Sequence, residues 1–264
     1  MEEEERGLGR NILGLQGAGF ILLGGGKGLG IAVANALSTA GCRVVVIDRS
    51  AAIADETAAA IGGTSLTADL TDRAELFAAF NEAAGVLGSV RGIVDIIGMA
   101  MVKPIVDFTD TELSDQFDIV LRHALLTLQA GAAILDRGAS FTFVGSMSGE
   151  RAVLNQAIYG TAKAALHHLV RQAALEFGSR GIRVNAVSPG YIRTPRLNAM
   201  LDATQWDAIG RKVPLGSAAQ PYEIAGPILF LASALASHVT GQVLGVDGGI
   251  SVVANLPDLD WSRP

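Results

Sequence analysis

Three side chains have the types and spacing to move a proton: Ser146, Tyr159 and Lys163. Tyr159 and Lys163 stand four apart in a helix-period segment over 158–177, so they share one helix face. A free tyrosine titrates near about 10, too high for a base at neutral pH. A neighbouring ammonium favours the phenolate and lowers that value. A tyrosine tuned this way can exchange a proton with a hydroxyl or carbonyl oxygen. Ser146 follows the apolar run at 141–144 and can donate a hydrogen bond to the same oxygen. A tyrosine and a lysine four apart also occur by chance on many helices, so the pair needs support from its surroundings.

A second group of residues suits a phosphate. Gly24-Gly25-Gly26-Lys27-Gly28-Leu29-Gly30 lies between an apolar run at 20–23 and a helical pattern at 29–40. One glycine permits the tight turn, one admits backbone close to a pyrophosphate, and one lets helix pack against strand. The helix start adds free N–H groups and partial positive charge. The apolar run at 44–47 ends on Asp48-Arg49. A carboxylate about 20 residues beyond such glycines hydrogen-bonds a ribose 2′-hydroxyl and repels a 2′-phosphate. Asp48 therefore favours NAD over NADP. Lys27 and Arg49 pull the other way, because either could meet a phosphate. Asp48 could also serve as a plain helix cap.

The elements that must position these groups are legible as an alternation. Apolar runs at 20–23, 44–47, 93–97, 141–144, 184–187 and 243–246 are continuous, as in strands buried on both faces. Helical patterns lie between them, at 29–40, 51–61, 73–86, 113–135, 158–177 and 222–235. Strand–helix alternation predicts an α/β chain: a single-domain, Rossmann-like, doubly wound parallel sheet with helices on both faces. The domain is expected over 17–254, after an N-terminal extension at 1–16 and before a tail at 255–264.

Composition narrows the function classes. Of 264 residues, 50% are hydrophobic, 17% are charged and 32 are Gly, so the chain can bury a large core and is not a disordered one. A net charge of −6 without a basic stripe argues against nucleic acid. Cys42 is the single cysteine, which excludes a disulfide scaffold and fits a reducing compartment. The four His and one Cys show no ligand spacing, so no metal is expected. The mean hydropathy of +0.39 raises the question of a membrane. No apolar run reaches the roughly 18 residues of a span, and the acidic start Glu2 to Glu5 does not suit a targeting peptide. The expectation is a cytoplasmic protein with no membrane partner.

Taken together the motifs resemble the short-chain dehydrogenase/reductase family, from about residue 17 to 250. The resemblance rests on the Gly24…Gly28…Gly30 turn, Asp48, Asp69-Leu70, Ser146, Tyr159 and Lys163. It continues through Arg183-Val184-Asn185-Ala186-Val187-Ser188-Pro189-Gly190, Thr240-Gly241-Gln242 and Val246-Asp247-Gly248-Gly249. It implies an NAD(P)-dependent oxidoreductase that interconverts a secondary alcohol and a ketone, with Tyr159 as acid/base. It implies that Lys163 also holds the nicotinamide ribose and that Ser146 orients the substrate. Asp69 and Leu70 would flank the adenine; Gly98, Pro189, Gly190, Ile192 and Thr194 would line the nicotinamide half of the cleft. A homotetramer or homodimer through the helices at 113–135 and 158–177 is the family-based expectation.

Four departures stand out. Leu23 replaces the usual Thr before the glycines. Asp95-Ile96-Ile97-Gly98 replaces Asn-Asn-Ala-Gly, which puts hydrogen bonds near the adenosine in question. Val120 replaces a helical Asn that supports a water-linked proton path to the lysine. Val cannot hydrogen-bond through its side chain, so that path must use another group or run more slowly. His123 stands where Gly is common and reads as a packing residue, as do His167 and His168 on the Tyr159 helix.

In the resembling family the segment 191–215 covers the substrate. Here it carries Ile192, Leu197, Met200, Leu201, Trp206 and Ile209. An apolar lid excludes water and favours a bulky, mostly apolar alcohol or ketone, although ordinary helix packing accounts for many of the same residues. Arg193 and Arg196 could instead meet a carboxylate. Two other functions stay open: a cofactor-binding protein with impaired turnover, and an epimerase or lyase on the same scaffold.

Overall fold

The computed structural model describes residues 12–253. Most of the expected extension and all of the expected tail lie outside the described residues. Seven strands form one sheet: β1 (Gly19–Leu23), β2 (Arg43–Asp48), β3 (Thr64–Thr67), β4 (Val90–Asp95), β5 (Leu135–Val144), β6 (Arg183–Pro189) and β7 (Val243–Val246). Their order is β3-β2-β1-β4-β5-β6-β7, and every neighbouring pair is parallel. The order reverses direction between β1 and β4. In such sheets the ligand crevice opens at the carboxyl ends of those strands, here Leu23 and its register partner Asp95.

Alternate strand residues feed two cores, which is why the runs are apolar throughout. Ile21, Leu23, Val45 and Ile47 join α3 (Arg73–Leu87), α5 (His123–Ile134) and α6 (Ala157–Phe177) on one face. Phe20, Leu22, Val44 and Val46 join α1 (Leu29–Thr39), α2 (Ala51–Ile61) and α9 (Pro221–Ala232) on the other. The doubly wound architecture expected from the alternation is the one observed.

One strand lies outside the apolar runs, and one helix expectation is corrected. β3 has no apolar run, because Thr64-Ser65-Leu66-Thr67 is an edge strand with its end residues exposed. The helix expected over 113–135 is divided into α4 (Asp110–Phe117), a π-type turn over Asp118–Arg122, and α5. Its apolar period continues through the wider turn, so the pattern does not show the interruption. The chain then enters β5 at Leu135, six residues before its apolar run begins. The stretch Asp110–Ile134 is apolar and long enough for a membrane span by composition alone. In the fold it packs against α3 and α6. Residues 191–215 form α7 (Pro195–Met200) and α8 (Ala203–Gly210). Trp206 is buried and Met200 exposed, so only part of the expected apolar set faces inward.

Candidate active site

The glycine turn is bare backbone by necessity. A Cβ on Gly30 would stand 2.6 Å from the Gly25 carbonyl carbon, and one on Gly25 would stand 2.8 Å from a Val46 methyl. Gly24 and Gly28 have φ of +94° and +109°, which L side chains rarely adopt. A Cβ on Gly26 would meet nothing within 4 Å. No side chain caps α1 and Ile31 N already bonds Gly26 O at 3.2 Å, so the N–H groups of Leu29 and Gly30 are the ones available to an anion. From α2, the buried Thr57 Oγ1 donates to Gly25 O at 2.6 Å. These residues fit a dinucleotide pyrophosphate.

Asp48 sits beside this turn at the end of β2. Its Oδ2 accepts from Gly25 N and its Oδ1 from Ser50 N, both at 2.9 Å. The carboxylate therefore shapes the turn that it adjoins. Lys27 is exposed and pairs with Glu56 at 3.2 Å. Arg49 is exposed and acts electrostatically on Asp69. Asp69 accepts the backbone and hydroxyl hydrogens of Thr71, which hold its carboxyl below the usual range. Leu70 is buried in the core, so its side chain is committed to packing.

Ser146, Tyr159 and Lys163 converge at the carboxyl end of β5. Ser146 leaves the strand in extended conformation, and its hydroxyl accepts from Ser148 N at 3.1 Å. Ser146 faces Tyr159 closely enough to act on its phenol. Lys163 is buried, and its Nζ donates to Val144 O at 2.7 Å, 5.8 Å from the centre of the Tyr159 ring. Burial raises the Tyr159 phenol above its ordinary value, against the lowering effect of Ser146. A neighbouring lysine alone would lower the phenol; in the folded cleft desolvation outweighs that effect. Burial lowers Lys163 to about 8, with Asp95 pulling it upward.

The other wall is also present. Gly98 has φ +145°, and a Cβ there would stand 2.8 Å from Lys163 Nζ. Gly190 follows β6 and packs on Asp247. Ile192 bridges to Ala219, and Thr194 caps α7 by accepting from Leu197 N at 3.3 Å. A Cβ on Gly28 would meet Pro195 at 3.2 Å and Thr194 at 3.3 Å, so the glycine turn touches the start of the 191–215 segment.

A cavity of about 830 Å³ lies elsewhere, between Pro104-Ile105 and residues 148–164. Its lining includes Glu150, Arg151, Asn155 and Gln156 but none of the three convergent side chains.

A family model described as Enoyl-(Acyl carrier protein) reductase matches residues 24–251. Galactitol 2-dehydrogenase (L-tagatose-forming) from Cereibacter sphaeroides is 34% identical over 253 residues, covering 92% of this chain and 98% of that protein. A short-chain dehydrogenase/reductase from Serratia marcescens superposes with a TM-score of 0.84 at 29% identity, covering 90% of this chain and 99% of that one. The chain belongs to the short-chain dehydrogenase/reductase family. L-xylulose reductase from Bos taurus, another relative, is 33% identical over 242 residues, covering 90% of this chain and 98% of that protein.

Within this short-chain dehydrogenase/reductase, three positioning features are not legible from type and spacing. His123 does more than pack: its Nε2 lies 3.2 Å from Asp95 Oδ1 and 3.1 Å from Oδ2, with both residues buried. His167 accepts the Ser146 backbone N–H through Nε2. Thr57 braces the glycine turn. The signals available were Asp95 and His123 departing from the family pattern together, and a histidine two turns beyond Tyr159 on one helix face.

Proposed function

We propose that this enzyme is an NAD(H)-dependent oxidoreductase that interconverts a secondary alcohol and a ketone. The observation that carries the reading is the convergence of Ser146, Tyr159 and Lys163 in a cleft beside a bare glycine turn. A bound nicotinamide ring supplies or accepts the hydride. Ser146 and Tyr159 hydrogen-bond the substrate oxygen, and the Tyr159 hydroxyl gives its proton to that oxygen on reduction and recovers it on oxidation. A phenol raised by burial stands ready as the acid for reduction. Lys163 holds the nicotinamide ribose and places positive charge behind the phenol.

Asp48 supports NAD as the dinucleotide, since its charge repels a 2′-phosphate. Half-buried Ile192, Leu197 and Leu201 support a largely apolar substrate. A polyol is the second reading, favoured by the two sugar-alcohol relatives. Exposed Leu113, and exposed Leu125 lining a hollow of about 300 Å³ with Phe117, Leu121, Arg122 and Leu169, support a homotetramer or homodimer through these helices. The lone Cys42 supports a cytoplasmic placement.

The test is turnover on a panel of apolar secondary alcohols, polyols and their ketones with NAD(H) and NADP(H). Tyr159→Phe is expected to abolish turnover and leave dinucleotide binding measurable. Turnover that survives this change removes Tyr159 from the acid/base role. Activity confined to small charged hydroxy acids removes the apolar substrate.

A further inference from the structure

Asp95 and His123 form a buried ionisable pair that the proposed chemistry does not use. Asp95 ends β4 and is 2% exposed; His123 opens α5 and is 1% exposed. His123 Nε2 is hydrogen-bonded to Asp95 Oδ1 at 3.2 Å and lies 3.1 Å from Oδ2, a buried oxygen without a hydrogen-bond partner. Asp95 Oδ1 also accepts from Ile97 N at 3.0 Å. The carboxylate is thus fixed by one bond from the following loop and one from the helix that crosses it.

Lys163 is the buried cation that approaches the loop following Asp95. Its Nζ bonds Val144 O, the residue after Phe143, which is the register partner of Asp95. The loop that Asp95 anchors runs on to Gly98, whose missing side chain leaves room for the same Nζ. A fully buried ammonium is costly unless an opposite charge faces it. The titratable groups around it are Asp95 from β4, His123 from α5, and Tyr159 and His167 from α6. Asp95 is the carboxylate among them.

We propose that Asp95, oriented by His123, is the buried counter-charge that keeps Lys163 an ammonium and holds its Nζ at the mouth of β4 and β5. Both are positioning residues. Their catalytic consequence rests on the proposed roles of Tyr159 and Lys163; the electrostatic link does not.

The experiment measures unfolding free energy by urea from pH 7 to 10.5. Lys163 binds its proton less tightly in the fold, at about 8, than in the unfolded chain. The unfolded chain therefore holds more protons across that window, and stability rises with pH through it. Asp95→Asn keeps an acceptor for Ile97 N but removes the charge. The onset of the rise is expected to move down by about one pH unit or more, the scale of a close opposite charge. Asp95→Ser is a second variant with the same expectation.

On a Lys163→Met background, which subtracts other alkaline groups, Asp95→Asn is expected to leave the slope unchanged. Coincident onsets in the wild type and both Asp95 variants overturn the counter-charge role. That result leaves the dehydrogenase reading standing, because Tyr159→Phe tests it separately.

Discussion

His167 accepts the backbone N–H of Ser146 at 3.4 Å, so the serine that faces Tyr159 is held from α6, the helix that carries Tyr159 itself. The contact is close on both sides: a Cβ on Gly145 would stand 2.3 Å from His167 Nε2, and one on Gly149 would stand 2.8 Å from the ring. Burial, then the charges of Lys163 and Arg171, lower His167 to about 4. It stays neutral and able to accept. The stability this contributes is present above the unfolded value of about 6.5 and is lost as pH falls toward 4. His167→Leu is expected to cost about 1–2 kcal/mol, the price of an unpaired buried N–H. It should also flatten the acid-side loss of stability and lower kcat more than it raises KM for the dinucleotide. A pH series of denaturant melts with steady-state kinetics checks all three.

Gly98→Ala should strike Lys163. The added carbon would stand 2.8 Å from an Nζ already bonded to Val144 O, at a φ of +145°. A loss in kcat of about tenfold or more, near 1.4 kcal/mol, is expected. A wild-type rate would show that Nζ has freedom this packing denies it.

Asp48→Asn separates the charge of this residue from its bond to Gly25 N. The amide oxygen can still accept from Gly25 N at the loss of the Ser50 N bond, while the repulsion of a 2′-phosphate is gone. NADP affinity relative to NAD is expected to rise by about tenfold, or 1.4 kcal/mol. Fluorescence titration with both reduced dinucleotides reads this ratio. An unmoved ratio removes Asp48 from cofactor selection and leaves it a turn-shaping role.

Val120→Asn places an amide where 0% of the side chain is exposed. Burying it without full partners is expected to cost about 1–3 kcal/mol. The pH–rate profile should shift if the proton path to Lys163 passes residue 120. An identical profile shows that the path runs elsewhere.

The sequence carried the sheet because each central strand is buried on both faces, and two-face burial writes itself as an unbroken apolar run. β3 was not written this way, since an edge strand of Thr, Ser and Leu needs no such run. Ser146, Tyr159, Lys163 and the glycine turn were legible from type and spacing. The partners that hold them were not. Asp95 and His123 are 28 residues apart, as Ser146 and His167 are 21 apart. Only the parallel register and helix crossings bring such pairs together. The phenol of Tyr159 shows the same limit: spacing showed a nearby lysine, but the burial that raises the phenol is a property of the folded cleft.

The wide turn over Asp118–Arg122 sets the rotational phase of everything after it. One residue more than an α-helical turn advances the following helix by about 100°. His123 is the first residue to receive that rotation, and it is the one that meets Asp95. Deleting a single residue from this turn would restore a regular helix and swing His123 away from β4. The length of the segment, not only its composition, is therefore part of how the cleft keeps its charge.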